Sequence, residues 1–194
     1  MLKEKLKKYN IILCSSSPRR KELLLKLGLI FTTSNTTQKE KYPYNININN
    51  VAEFLAKQKG KEFIKKLKNN DLIITADTIV ILKGEILNKP KDKKEAVNML
   101  NKLSGETHKV ITGVQMKTKN KEIIFSETTL VTFKKLTAQE INHYISEYKP
   151  FDKAGSYGIQ EWIGDIGIKK IYGSYTNVMG LPLNKMYEKL KKMI

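Results

Sequence analysis

Short apolar runs alternate along the chain with amphipathic stretches. "NIILC" (10–14) is apolar, brief and of strand type. Ser17 then reads as an N-cap and Pro18 as the first helical residue. Glu22 and the leucines at 23, 24, 25 and 27 carry that helix to Gly28, which closes it. "LIFTTS" (29–34) predicts a second strand, and the Asn-, Thr- and Lys-rich stretch from Asn35 to Asn49 a loop long enough to carry function. Asn50 is placed to cap a helix from Val51 to about Leu67. "DLIITADTIVIL" (71–82) is a nearly unbroken apolar run, as a central strand is, interrupted by the polar pair Asp77–Thr78.

Beyond a "KGE" turn and "ILNKP", "KDKKEAVNMLNKLSG" predicts an amphipathic helix ending at Gly105. "THKVITGVQMKTKNKEIIFSETTLVTFKKL" reads as two strands joined by a "KNKE" turn. Thr137 with Glu140 makes a capping box for a helix to about Tyr148. "PFDKAGSYGIQ" is a glycine-punctuated loop or short strand, and "GIKKIYGSYTNVMGLPLNKMYEKLKKM" gives a strand, a turn and a C-terminal helix from near Pro182. No internal repeat or linker interrupts the 194 residues, which suit one domain with its own core.

No stretch approaches the roughly 20 apolar residues that span a bilayer, and the N-terminus lacks a signal-peptide apolar region. The lone Cys14 excludes an intrachain disulfide and a cysteine metal cage. These features predict a soluble, cytoplasmic protein with no membrane partner. The net charge is +17. It points either to a polyanion site or to compositional drift toward lysine, asparagine and isoleucine; in both cases it attracts anionic substrates.

If drift replaced arginine wherever lysine serves, one detail becomes informative. Arg19 and Arg20 are the only arginines, so 34 of the 36 Lys plus Arg are lysines. Either two codons escaped by chance, or these positions need the planar fork that grips phosphate with two prongs. They fall in the first turn of a helix, where the backbone is already electropositive. An anion held by backbone N–H groups, the hydroxyls of Ser15 to Ser17 and the forks resolves that mismatch. The Walker spacing is absent.

Asp77 is one of five aspartates and stands inside an apolar strand. A carboxylate there is costly unless paired or metal-bound. It is a metal ligand or general base at the end of a central strand, or else an edge residue or a buried ion pair with a lysine. Lys89, Lys153 and Glu40 each read equally as solvated surface. Gln160 is polar among apolar neighbours and can address a base edge through its amide. His108 and His143 form no hydrolase triad or metal cluster, and Cys14, last in its strand, reads as packed.

"SSSPRRKELL", "ADTIVIL", "LNKP", "PFDKAGSYGIQ" and "GSYTNVMGLPL", in this order, resemble the Maf family of nucleoside triphosphate pyrophosphatases over residues 10–194. The resemblance implies a single-domain α/β, Maf/ITPase-like fold over residues 1–194, with an elongated, strongly bent mixed sheet flanked by helices and an active-site cleft. It implies hydrolysis of a nucleoside triphosphate to the monophosphate and pyrophosphate with a divalent metal (Mg2+, Mn2+ or Co2+), and a homodimer. On this chain the catalytic acid falls on Asp77, expected to act as general base on water. Ser15, Arg19 and Arg20 match the phosphate-binding motif. Lys59, Lys89 and Lys153 match the basic substrate positions, and Arg19, Thr78 and Gln160 those tied to substrate choice. "AGSYGIQ" resembles the branch preferring dTTP and UTP. Two departures stand out: Cys14 replaces the usual alanine, and the acidic pair before Pro43 is reduced to "QKEK", leaving Glu40 beside Asp77 as the metal-side carboxylates. The competing class is a basic nucleic-acid-binding or cell-division (septum) regulator. An aromatic content of 8% and the lack of a nucleic-acid motif speak against a nucleic-acid partner.

Overall fold

The computed structural model describes residues 2–36 and 40–194, so Thr37 to Lys39 of the expected 35–49 loop lie outside the described residues. In chain order the elements are α1 (Leu2–Leu6), β1 (Asn10–Cys14), α2 (Pro18–Lys26), β2 (Thr32–Ser34), α3 (Val51–Ile64), β3 (Asp71–Leu82), β4 (Glu85–Leu87), α4 (Lys93–Leu103), β5 (Thr107–Lys117), β6 (Glu122–Phe133), α5 (Ala138–Tyr148), α6 (Trp162–Gly167), β7 (Ile168–Tyr172), α7 (Tyr175–Met179) and α8 (Leu183–Met193). The sheet has seven strands in the order β2-β1-β3-β5-β6-β7, with β4 pairing β3 off that path. β1 runs parallel to β2 and β3, while the β3–β4 and β6–β7 pairs are antiparallel. The fold is therefore mixed α/β, as the resemblance implies. β3 is flanked on both sides, which is why its sequence is apolar almost throughout.

The chain forms two compact units, and the boundary between them falls inside β3, β5 and β6. The first comprises Met1–Asp77, Thr112–Glu127 and Gly180–Ile194. Its core holds Leu13, Leu23, Leu24, Leu72, Ile74 and Leu190, all fully buried. Burying each such side chain contributes roughly 1.5–3 kcal/mol. Helix α8 turns Met186, Leu190 and Met193 inward. Lys185 donates to the Ser126 carbonyl at 2.7 Å and Lys121 to that of Met193 at 2.9 Å.

The second unit comprises Thr78–Ile111 and Thr128–Met179. Ala96, Leu100 and Leu103 of α4 and Ile141 and Ile145 of α5 are buried, and the two helices pack together. The expected capping box of α5, Thr137 with Glu140, is present in both directions. "GSYTN" is a structural tie: Asn177 donates to the Val110 carbonyl at 3.1 Å and to Thr129 Oγ1 at 2.9 Å, holding α7 to β5 and β6. Gly173, at φ 125°, is needed because a Cβ would meet Thr129 Oγ1 at 2.9 Å.

Several boundaries differ from the sequence reading. α3 stops at Ile64 rather than Leu67, because the Lys68 N–H donates to the Asp71 carboxylate at 2.8 Å and turns the chain into β3. Asn50 makes no side-chain cap. Asn47 does so instead, accepting from the Asn49 N–H at 2.9 Å at the head of a 3-10 turn, Ile48–Asn50, that leads into α3. Only Thr32–Ser34 of "LIFTTS" pairs, since its sole partner is the end of β1. The short helices α1, α6 and α7 went unread; none exceeds six residues, too few for a periodic signal. No described helix is long and apolar enough to cross a membrane.

Candidate active site

The first unit gathers six of the expected site residues: Ser15, Arg19, Arg20, Glu40, Lys59 and Asp77. Ser17 caps α2, its hydroxyl accepting from the Arg20 N–H at 3.4 Å, and Pro18 opens the helix. The cap fixes the first turn and so aims Arg20. Arg20 Nε donates to the Gly180 carbonyl at 2.9 Å, and Nη1 reaches Ser15 Oγ at 3.4 Å. Ser15 Oγ also accepts from the Ser17 N–H at 3.2 Å. Two prongs of one guanidinium thus hold two partners, a geometry that a lysine ammonium cannot copy. Part of the answer to the rare arginine pair is structural: one prong of Arg20 pins the backbone that leads into α8.

Asp77 sits mid-strand in β3, not at its end, and is 5% exposed. Lys59 of α3 pairs with the Asp77 carboxylate and, at 2.9 Å, with Glu40. Of the readings open for Asp77, the buried ion pair with a lysine is the one present. Burial pushes the Asp77 carboxyl above its ordinary value, while Lys59 and then Arg20 pull it back down. Burial also lowers the Arg20 guanidinium, which Asp77 raises again and Arg19 opposes. Arg19 is thus close enough to repel Arg20, a juxtaposition that an anion relieves. Desolvation is the largest influence on Asp77, so this ion pair is a poor device for stability, and a carboxylate kept in such a place is a functional candidate.

Cys14 ends β1, is buried, and has its thiol pushed up to about 12 by burial, with Glu62 adding to the shift. It is packing, not a nucleophile. Among the described residues no group of three or more His, Cys, Asp and Glu gathers as a metal cage. The donor chemistry on offer is two carboxylates, Glu40 and Asp77, meeting on one cation. That set fits a hard divalent ion such as Mg2+, which commonly takes one or two carboxylates and completes its shell with water and phosphate oxygens.

The second unit carries Thr78, Lys89, Lys153 and Gln160. Lys89 is exposed after β4, and Thr78 is half-buried in β3. Lys153 is 8% exposed, unlike a solvated surface lysine, and its ammonium meets Asp152 at 2.7 Å and Glu161 at 3.1 Å. Glu161 accepts from the Tyr144 hydroxyl, which accepts from the Gly158 N–H at 3.0 Å. Burial first, and the Glu161 bond second, raise the Tyr144 phenol. Gly158 has no room for a side chain, because a Cβ would meet the Glu161 carboxylate at 2.7–3.0 Å. The "AGSYGIQE" loop is thus drawn around Glu161, with Gln160 next to it. Deeper in the unit, His108 Nε2 shares a 2.7 Å bond with the Tyr157 hydroxyl and its ring stacks on Phe133.

A family model for Maf-like proteins matches residues 10–193. The chain belongs to the Maf family. It is 50% identical over 187 residues to a dTTP/UTP pyrophosphatase of Flavobacterium psychrophilum, covering 96% of each chain. It is 49% identical to a protein of that name from Phocaeicola vulgatus, over 98% of this chain and 99% of the relative. With a third, from Flavobacterium johnsoniae, identity is 46% over the full length of both.

In this Maf chain, sequence reasoning missed Tyr144 and Glu161. Tyr144 falls on the apolar face of an amphipathic helix and looks like core. Glu161 directly follows Gln160, and its only signal was an acidic residue beside a motif that ends one position earlier. Lys59 was found by resemblance alone, since one lysine among 34 has no local signature.

Proposed function

We propose that this Maf protein hydrolyses dTTP and UTP to the nucleoside monophosphate and pyrophosphate, the whole chain acting as one catalytic domain. The observation that carries the reading is the desolvated Asp77 carboxylate held by Lys59, with the Ser15–Arg20 pair in the same unit. The reading is supported by relatives at 46–50% identity that bear the name dTTP/UTP pyrophosphatase.

Asp77 acts as general base. A water oxygen bonds to the α-phosphorus, its proton passes to the Asp77 carboxylate, and the bond from that phosphorus to the bridging oxygen breaks. Pyrophosphate leaves with the electron pair. Lys59 and Arg20 favour the ionised carboxylate against the burial that opposes it, and the ionised form is the one that accepts a proton. Ser15, Arg19 and Arg20 bind phosphate oxygens, with the forked donors matching charge spread over several oxygens. Lys89 and Lys153 add positive charge for the triphosphate, and Thr78 and Gln160 take part in recognising the nucleotide. Glu40 and Asp77 would hold a divalent cation. When bound, that ion supplies charge neutralisation on the phosphates and acidifies water.

The test is pyrophosphate release from a panel of nucleoside triphosphates with Mg2+ or Mn2+, wild type beside Asp77→Asn. Hydrolysis of dTTP and UTP that vanishes in the variant is expected. A folded wild type that releases no pyrophosphate from any nucleotide overturns the reading.

A further inference from the structure

Helix α3 sits in the first unit on a surface built to receive it at one position along its axis. Ala52, Ala56 and Gly60 recur every four residues and so share one face. Opposite Ala52 is Gly113 of β5, where a Cβ would run into the helix backbone. Opposite Ala56 is Thr75 of β3, whose hydroxyl donates to the Ala56 carbonyl at 2.7 Å. Against Gly60 lies the amide of Gln115, in the space that a Gly60 Cβ would need.

Gln115 is fully buried, bonded through its Nε2 and packed through its Oε1 against the Thr75 hydroxyl, whose proton goes first to the Ala56 carbonyl. Its Nε2 donates to Glu122 at 2.6 Å, and its Oε1 lies 3.3 Å from the Thr75 hydroxyl. A buried amide is costly unless its partners hold it, and an apolar side chain of like volume would fill the site without that demand. Directional bonds add what an apolar filler lacks: they fix one position for the amide, and the amide limits where Gly60 can lie. Lys59, which pairs with Asp77, precedes Gly60 in the chain. Thr75 and Asp77 are two apart on β3 and face the same side.

We propose that Gln115 is a positioning residue for the reaction: wedged between Thr75 and Gly60, it sets the axial seat of α3 and thereby where the Lys59 ammonium stands against Asp77. The inference rests on the reading of Asp77 as the catalytic base. It assigns Gln115 no contact with substrate.

The experiment is a double-mutant cycle of Gln115→Met and Lys59→Met, with Gly60→Ala as an independent probe. For each variant, kcat and KM for dTTP and the melting temperature are measured. A small misplacement can lower turnover up to about 100-fold, so Gln115→Met is expected to lower kcat about tenfold with KM within about twofold. In the Lys59→Met background the same change is expected to leave kcat untouched, because the ammonium it positions is gone. Gly60→Ala is expected to reproduce the loss, and the double variant Gly60→Ala/Gln115→Ala to recover part of it. Wild-type kcat in Gln115→Met, or equal losses in both backgrounds, would reduce Gln115 to a structural residue and overturn the inference alone. Full activity in Asp77→Asn would instead overturn the assignment of the base, and this inference with it.

Discussion

The ammonium of Lys59 lies against the carboxylate of Asp77, joining the middle of helix α3 to the middle of strand β3 across 18 residues of sequence. Lys59 also holds Glu40 from the other side, so one cation joins two carboxylates. Burial, the largest influence on Asp77, pushes its carboxyl up while Lys59 and Arg20 pull it down, so the pair carries a desolvation cost that a surface ion pair does not.

Asp77→Asn removes the base while keeping shape. Turnover of dTTP and UTP is expected to fall by about 100- to 10,000-fold, the span of general-base contributions. The protein should still unfold cooperatively. Pyrophosphate release together with a thermal melt checks this, and near-wild-type turnover from the folded variant would contradict the mechanism.

Arg20→Lys keeps the charge and loses the fork. The Gly180 carbonyl and Ser15 Oγ would each lose a partner. Hydrogen bonds from charged groups are worth about 1.5–3 kcal/mol, so a stability loss in that range is expected in urea, alongside a fall in kcat/KM. A variant with unchanged stability would mean that the Gly180 tie carries no weight.

His108 predicts a pH dependence of stability. Burial lowers its imidazole from the ordinary 6.5 to about 4. Between those values the unfolded chain binds a proton that the folded one refuses, so stability is full above pH 6.5 and falls as pH drops toward 4. At about 1.4 kcal/mol per unit the loss is on the order of 3 kcal/mol. His108→Gln should flatten the melting temperature over this window; an equally steep profile would assign the effect to other groups.

Tyr144→Phe tests the second unit. Its hydroxyl serves both Glu161 and the Gly158 N–H, and the ring is fully buried. Leaving those two groups without it is expected to cost about 1–3 kcal/mol. Denaturant unfolding measures the cost. Because Glu161 also meets Lys153, KM for the triphosphate should rise with little change in kcat. A loss confined to kcat would argue against Lys153 as a binding residue.

Elements whose causes are local are legible in the chain alone. An unbroken apolar run marked β3 from Asp71 to Leu82, Ser17–Pro18 the start of α2, and Thr137 with Glu140 the start of α5. It also marked Asp77 as anomalous, because an aspartate among isoleucines is costly whatever surrounds it. What each side chain meets is set by long-range packing. Lys59 and Asp77 are 18 residues apart, Thr75 and Gln115 are 40, and Arg20 and Gly180 are 160. Periodicity and capping act over one or two turns and carry no record of such pairings. Short helices such as α6 and α7 escape for the same reason: at this length tertiary packing, not propensity, makes them helical. Local chemistry showed which residues were out of place, and long-range packing supplied the partners that make their placement useful.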